Sequence, residues 1–160
     1  MIMEAKTKVN AENGRQDLTI TREFELPVEL LFRAYAEPEI IEQWMSNPYS
    51  TTKLLKFEGR DHGSYQMETT GADGKVAFRA NGAIHKFETN KRIIRTFEME
   101  GMPYGVQLEV YEFEAITDDT CRLNMHVVYE SAAQRDEVLK LPFAQGINMA
   151  HNRIQEILGK

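Results

Sequence analysis

From residue 5 to residue 26 the chain alternates on a two-residue period. Ala5, Thr7, Val9 and Ala11 are interleaved with Lys6, Lys8 and Asn10, and Asn13-Gly14 follows, a dipeptide suited to the positive φ angles of a tight hairpin turn. The segment therefore reads as a hairpin. Its second strand puts Leu18, Ile20, Phe24 and Leu26 on one face and Thr19, Thr21, Glu23 and Glu25 on the other. Arg22 interrupts the apolar face, which leaves two readings. Its stem lies along the core with the guanidinium reaching a carboxylate at the sheet rim, or the cation faces a ligand.

Pro27 presets φ for a first helical turn, and Leu30, Leu31, Ala34 and Tyr35 recur at helical spacing. Pro38 ends that helix and opens another, with Ile40, Ile41, Trp44 and Met45 on one side, until Asn47-Pro48 stops it. From 51 to 129 the period returns to two. Turn signals at Asp61-His62-Gly63, Gly71 to Gly74, Thr89 to Lys91, Gly101 to Gly105 and Thr117 to Asp119 divide it into an antiparallel meander of five or six strands. Its last strand sets Cys121, Leu123, Met125, Val127 and Tyr129 against Arg122, Asn124 and His126, one face core and one face wet. In 106–116 the apolar phase changes between Val106, Leu108, Val110 and Tyr111, Phe113, Ala115, which predicts a bulge or bend near 110–111.

Ser131 and Gln134 have the spacing of a capping box and predict a short helix. Beyond Pro142, the apolar stripe Phe143, Ile147, Ala150, Ile154, Ile157, Leu158 predicts a long amphipathic helix, about 25 Å from 142 to 158. Gly146 costs that helix about 1 kcal/mol against Ala, and close approach to a strand is the expected reason. Hairpin, two short helices, meander and long helix together define an α+β fold in which a bent antiparallel sheet grips the C-terminal helix.

The 160 residues are expected to form one domain, 1–160, with residues 1–4 disordered. The net charge is −6, with 19 Lys and Arg against 25 Asp and Glu. The densest basic stretch, Lys91-Arg92 with Arg95, is too short for a phosphate backbone, so no nucleic acid partner is expected. A single cysteine, Cys121, excludes an internal disulfide and a thiolate zinc cluster. There is no run of 18 apolar residues and no signal-peptide core, so no membrane is expected and the expected location is cytoplasmic.

The familiar catalytic and phosphate-binding motifs are missing. His62, His85, His126 and His151 are spread along the chain and none is four residues from another, so neither a metal nor a cofactor is expected. His62 and His126 read as solvated, His151 falls at the border of the helical stripe, and the direction of His85 is open. Met45, Met67, Met99, Met102, Met125 and Met149 lie in or beside apolar positions. With the aromatics they either fill a core or line a cavity between helix and sheet.

Several short motifs, in order, resemble a known family. They are Thr21-Arg22-Glu23-Phe24-Glu25-Leu26-Pro27, Ala36-Glu37-Pro38-Glu39, Gln43-Trp44, Gly63-Ser64-Tyr65, Asp73-Gly74, Gly82, Lys91-Arg92-Ile93-Ile94, the run from Phe97 to Pro103, and Ser131 with Arg135-Asp136. Together they span nearly the whole chain and resemble the START-related SRPBCC superfamily. Within it they are similar to the branch of the C-terminal domain of the activator of heat-shock protein 90 ATPase. The resemblance implies a helix-grip, START/Bet v-like fold with a deep apolar cavity. It departs from the family in two ways: Met45 stands where a second Trp is common, and a single domain filling the 160 residues leaves no room for the eukaryotic activator's N-terminal domain.

Three functions follow as expectations. The first is non-enzymatic binding of a small apolar or amphipathic molecule by Trp44, Met45, Tyr65, Met67, Phe78, Phe97, Phe143 and Ile147, in a monomer or weak dimer. The second, taken from the resemblance alone, is a chaperone partner role through an acidic exterior, in the stress response. The third is a cyclase- or hydrolase-type enzyme, which needs an acid/base group in the pocket; Arg22, Glu68 and His85 are the candidate polar groups.

Overall fold

The computed structural model describes residues 6–159, so the expectations for residues 1–4 and for Ala5 lie outside the described residues. The elements are β1 (Lys8–Asn10), β2 (Asp17–Phe24), α1 (Val28–Ala36), α2 (Pro38–Met45), β3 (Ser50–Phe57), β4 (Ser64–Gly71), β5 (Val76–Glu88), β6 (Arg92–Met99), β7 (Val106–Ala115), β8 (Cys121–Val128), α3 (Ala132–Leu139) and α4 (Phe143–Leu158). The strands join in one curved antiparallel sheet, ordered β1-β2-β8-β7-β6-β5-β4-β3. This is the α+β helix-grip architecture that the element order predicts. After β2 the two short helices carry the chain to the far edge at β3. The meander then returns strand by strand until β8 lies against β2, Ile20 opposite Met125.

Local chemistry explains the boundaries. Gly14 takes a φ of 81° in the first hairpin turn. Pro27 precedes α1 and Pro38 opens α2, where a missing N–H costs nothing. The Ser131 side chain accepts from the Gln134 N–H at 3.1 Å and caps α3. The larger core joins Leu18, Ile20, Phe24, Leu31, Phe32, Tyr35, Phe113, Leu123 and Ile154, where each fully buried side chain contributes about 1.5–3 kcal/mol. A second cluster, Tyr65, Met67, Ala80 and Ile84, lies toward the other end of the sheet.

The sheet departs from the sequence reading at β7. No register shift occurs near 110–111; β7 pairs continuously with β6 and β8. The apolar phase changes because Glu109 is buried while Val106 and Leu108 stand 40% and 42% exposed. The irregularities fall instead at Leu54/Lys56, Thr69/Thr70 and Ile84/Lys86. The last lets Ile84 and Phe87 both face inward and turns His85 out to solvent.

The two halves of α4 differ. In its C-terminal half His151 and Ile154 are buried, and side chains fasten it to the rest of the fold. Arg22 Nη1 donates to Asn152 Oδ1 at 2.9 Å, the Glu25 N–H to Gln155 Oε1 at 2.8 Å, and Arg153 Nε to the Trp44 carbonyl at 2.8 Å. In its N-terminal half Phe143, Ile147 and Ala150 are only partly buried and Met149 is exposed, as Met102 is elsewhere. The expected close approach at Gly146 does not exist. A Cβ there would meet nothing within 4 Å, because this half of the helix stands over a hollow.

Candidate ligand-binding site

Trp44 is fixed from two sides: its indole N–H donates to the Ala34 carbonyl at 2.6 Å, and its own carbonyl accepts from Arg153. The first bond ties α2 to α1 and the second ties it to α4. Between these helices and the sheet lies a cavity of about 570 Å³, inside the range of small-molecule sites. Tyr35, Trp44 and Met45 form its wall on α1 and α2, Phe78, Tyr111 and Met125 its sheet side, and Leu141, Pro142, Phe143, Gly146, Ile147, Ala150 and His151 its other side. A second hollow of about 30 Å³ shares Tyr35, Trp44 and Met45 and reaches Ile41, Leu54, Phe57, Tyr65, Met67 and Arg95. That is room for about one water molecule.

Most of the lining is hydrocarbon, sulfur or aromatic ring, so its polar groups can be followed one by one. The Trp44 N–H is engaged. The Tyr111 hydroxyl accepts from Arg95 Nη2 at 2.9 Å and donates to Glu109 Oε1 at 2.8 Å. Arg95 Nε reaches the same oxygen at 2.8 Å, and Gln107 Nε2 donates to Glu109 Oε2 at 2.7 Å. The Arg95 guanidinium also lies 4.7 Å from the Tyr65 ring centre and 5.0 Å from that of Tyr111. Burial works against the charge of Arg95, yet Tyr111, Tyr65 and Glu109 hold its pKa well above the ordinary value. Burial pushes the Tyr111 phenol far up as well. This cation, which borders the smaller hollow, is thus already matched by an anion.

His151 and Tyr35 differ from these. His151 is 1% exposed. Its Nδ1 pairs with Thr7 Oγ1 at 2.6 Å, and its ring meets the Phe24 ring edge to face at 5.6 Å. Burial, with the Arg22 charge close by, lowers its pKa to about 3, so the imidazole is neutral. Burial raises the Tyr35 pKa, which keeps its hydroxyl protonated. Among the described residues neither His151 Nε2 nor the Tyr35 hydroxyl has a hydrogen-bond partner.

The structure brings Trp44, Met45, Phe78, Phe143 and Ile147 to the large cavity, and Tyr65 and Met67, with Trp44 and Met45, to the small one. Phe97 packs against the Tyr65 cluster and borders neither. Of the candidate polar groups, Glu68 and His85 are corrected. Glu68 alternates with buried Met67 and Thr69, so it points to the outer face, where it pairs with Arg79 at 2.8 Å. His85 is exposed with its ring 5.3 Å from that of His62. Arg22 is buried outside both cavities, against Asn148, Asn152 and the Phe24 ring. Sequence reading missed Tyr35, Tyr111 and His151 as lining residues, and placed Met125 only among the methionines that fill a core or line a cavity. The only signal was that each falls on or beside an apolar face, which core residues do equally. Among the described residues no three His, Cys, Asp or Glu side chains gather where they could hold a metal, and no helix is long and apolar enough to cross a membrane.

A helix-grip domain with this element order defines the START/Bet v-like class of proteins. Solved structures agree at the level of the fold. A Rhodobacter sphaeroides protein superposes with a TM-score of 0.86 at 21% identity, covering 96% of this chain and 98% of that one. One from Mycobacterium smegmatis gives 0.81 at 24%, covering 97% of each chain, and one from Arthrobacter aurescens 0.83 at 19%, covering 95% and 91%. The family profile described as Activator of Hsp90 ATPase homolog 1-like protein matches residues 25–159. The chain belongs to that family, within the SRPBCC superfamily. No curated protein sequence matches it significantly.

Proposed function

We propose that this protein binds a small apolar or amphipathic molecule, without transforming it, in the cavity between α4, α2 and the sheet. The observation that carries the reading is the unfilled volume of about 570 Å³ under the N-terminal half of α4. A helix needed only for stability would pack down on the sheet there; this one keeps Gly146 and half-buried Phe143 over empty space. The described lining includes no carboxylate, thiol or lysine, and its acid/base-capable groups are set by burial far from neutral pH, with the His151 pKa lowered to about 3 and the Tyr35 and Tyr111 phenols pushed up.

Trp44 is the only tryptophan and borders the cavity, so its emission reports occupancy. A panel of fatty acids, sterols, flavonoids and aromatic polyketides is expected to contain members that shift the emission to the blue. The same members should raise the melting temperature, since binding only the native state stabilises by RT ln(1 + [L]/Kd). Phe143→Asp should abolish both responses while leaving a cooperative melt. A panel that moves neither signal would remove the reading. The family description motivates a second reading, stimulation of the Hsp90 ATPase. With a net charge of −6 and no long basic stretch, micromolar protein is expected to stimulate little, and robust stimulation would put the second reading first.

A further inference from the structure

Among the described residues, two polar side chains on the cavity wall, His151 through Nε2 and Tyr35 through its hydroxyl, have no hydrogen-bond partner. Within the Arg22–Thr7–His151 contact, Arg22 Nη1 lies 3.5 Å from Thr7 Oγ1, and Thr7 Oγ1 lies 2.6 Å from His151 Nδ1. In the tautomer in which the threonine hydroxyl, with a guanidinium N–H directed at its oxygen, gives its own proton to Nδ1, Nε2 carries the imidazole proton. Donors linked in series polarise one another, which makes the terminal N–H a better donor. The protonated Tyr35 hydroxyl is the second donor. Both residues line the cavity, and an occupant that offers no acceptor would cover these polar atoms and leave them unpaired, which is costly.

We infer that the ligand carries a neutral acceptor oxygen, a ketone or ester carbonyl on an apolar body, which accepts from His151 Nε2–H and the Tyr35 hydroxyl. The inference rests on the cavity reading above and narrows it to one chemical class. A carboxylate fits worse. The Arg95 charge, at the smaller hollow, is already matched by Glu109 at 2.8 Å, and stripping water from a carboxylate to set it against a neutral imidazole and a neutral phenol costs more than doing so for a carbonyl. A pure hydrocarbon leaves both donors unpaired.

The test uses the full chain and three naphthalenes, 2-acetylnaphthalene, its hydrocarbon isostere 2-isopropenylnaphthalene, and 2-naphthoate, measured by calorimetry. The ketone is expected to bind tightest and the naphthoate at least roughly tenfold more weakly than the ketone. The alkene-to-ketone ratio of Kd values should fall roughly tenfold in His151→Phe, and in the same direction in Tyr35→Phe, which removes one oxygen without changing shape. Infrared spectra of wild-type complexes supply a readout that needs no variant: the ketone C=O stretch should lie below its frequency in an alkane. An unchanged ratio in both variants, an alkane-like stretch, or tightest binding by naphthoate would overturn the inference. If none of the three binds while the ligand panel moves Trp44, the carbonyl inference fails and the cavity reading stands. If the panel fails too, both fall.

Discussion

Burying an imidazole next to a guanidinium fixes which proton state the fold can hold, and His151 shows the consequence. Its pKa is about 3 in the folded chain against an ordinary 6.5. Below pH 6.5 the unfolded chain takes up a proton that the folded chain refuses until near pH 3. Stability from this group is therefore full above pH 6.5 and falls as the pH drops through that window, by up to about 1.4 kcal/mol per unit. Urea unfolding at pH 7, 6 and 5 should show a steeper loss for the wild type than for His151→Gln; equal slopes would mean that the imidazole titrates as in solution. Asp17, held below the usual carboxylate range by Arg15 and His126, contributes to both proteins and cancels in the comparison. None of this is legible locally. Thr7 lies 144 residues from His151, and Arg95, which lets Glu109 sit inside, lies 14 residues away on the neighbouring strand. Periodicity registers a histidine at a stripe border and a break in phase, and cannot register the partner that accounts for either.

At the scale of elements the sequence is far more informative, because caps, turns and alternation act over a few residues. Asn13-Gly14, Pro27, Pro38 and Ser131 each mark a boundary that the fold keeps, and β8 alternates as read. What alternation cannot place is a bulge, and the direction of His85 depends on one, the shift between Ile84 and Lys86. Close approaches between strands are equally silent. The Tyr65 ring on β4 lies over Gly82, its cross-strand partner on β5, and its hydroxyl donates to the Thr96 carbonyl on β6 at 2.6 Å. A Cβ on Gly82 would stand 2.1 Å from that carbonyl oxygen and 2.4 Å from the ring. Gly82→Ala should therefore force the Thr96 backbone and the Tyr65 ring to shift and cost about 1–3 kcal/mol. Denaturant midpoints will read this directly, and a stabilised variant would contradict the packing described.

For the whole molecule, α4 is the element that makes the sheet a container. Its C-terminal half brings Ile154 into the core and bonds to β2, α2 and the segment before β1. Truncation after Pro142 removes all of these at once. The loss is expected to be comparable to the roughly 5–15 kcal/mol that holds a domain together, and calorimetry should find no cooperative melt. A sharp transition in the truncated chain would show that the sheet and the first two helices are self-sufficient. The same bonds carry a consequence in time. Asn148 and His151 close on Thr7 across 141 and 144 residues, so a chain growing from its N-terminus has almost finished the domain before its first strand region can be sealed. Until then the apolar inner face of the sheet is open to water and to other chains. Contacts this distant in sequence also slow folding. The cell therefore meets this protein first as an unclosed sheet, and crowding during synthesis bears on it more heavily than on a domain whose core is completed locally.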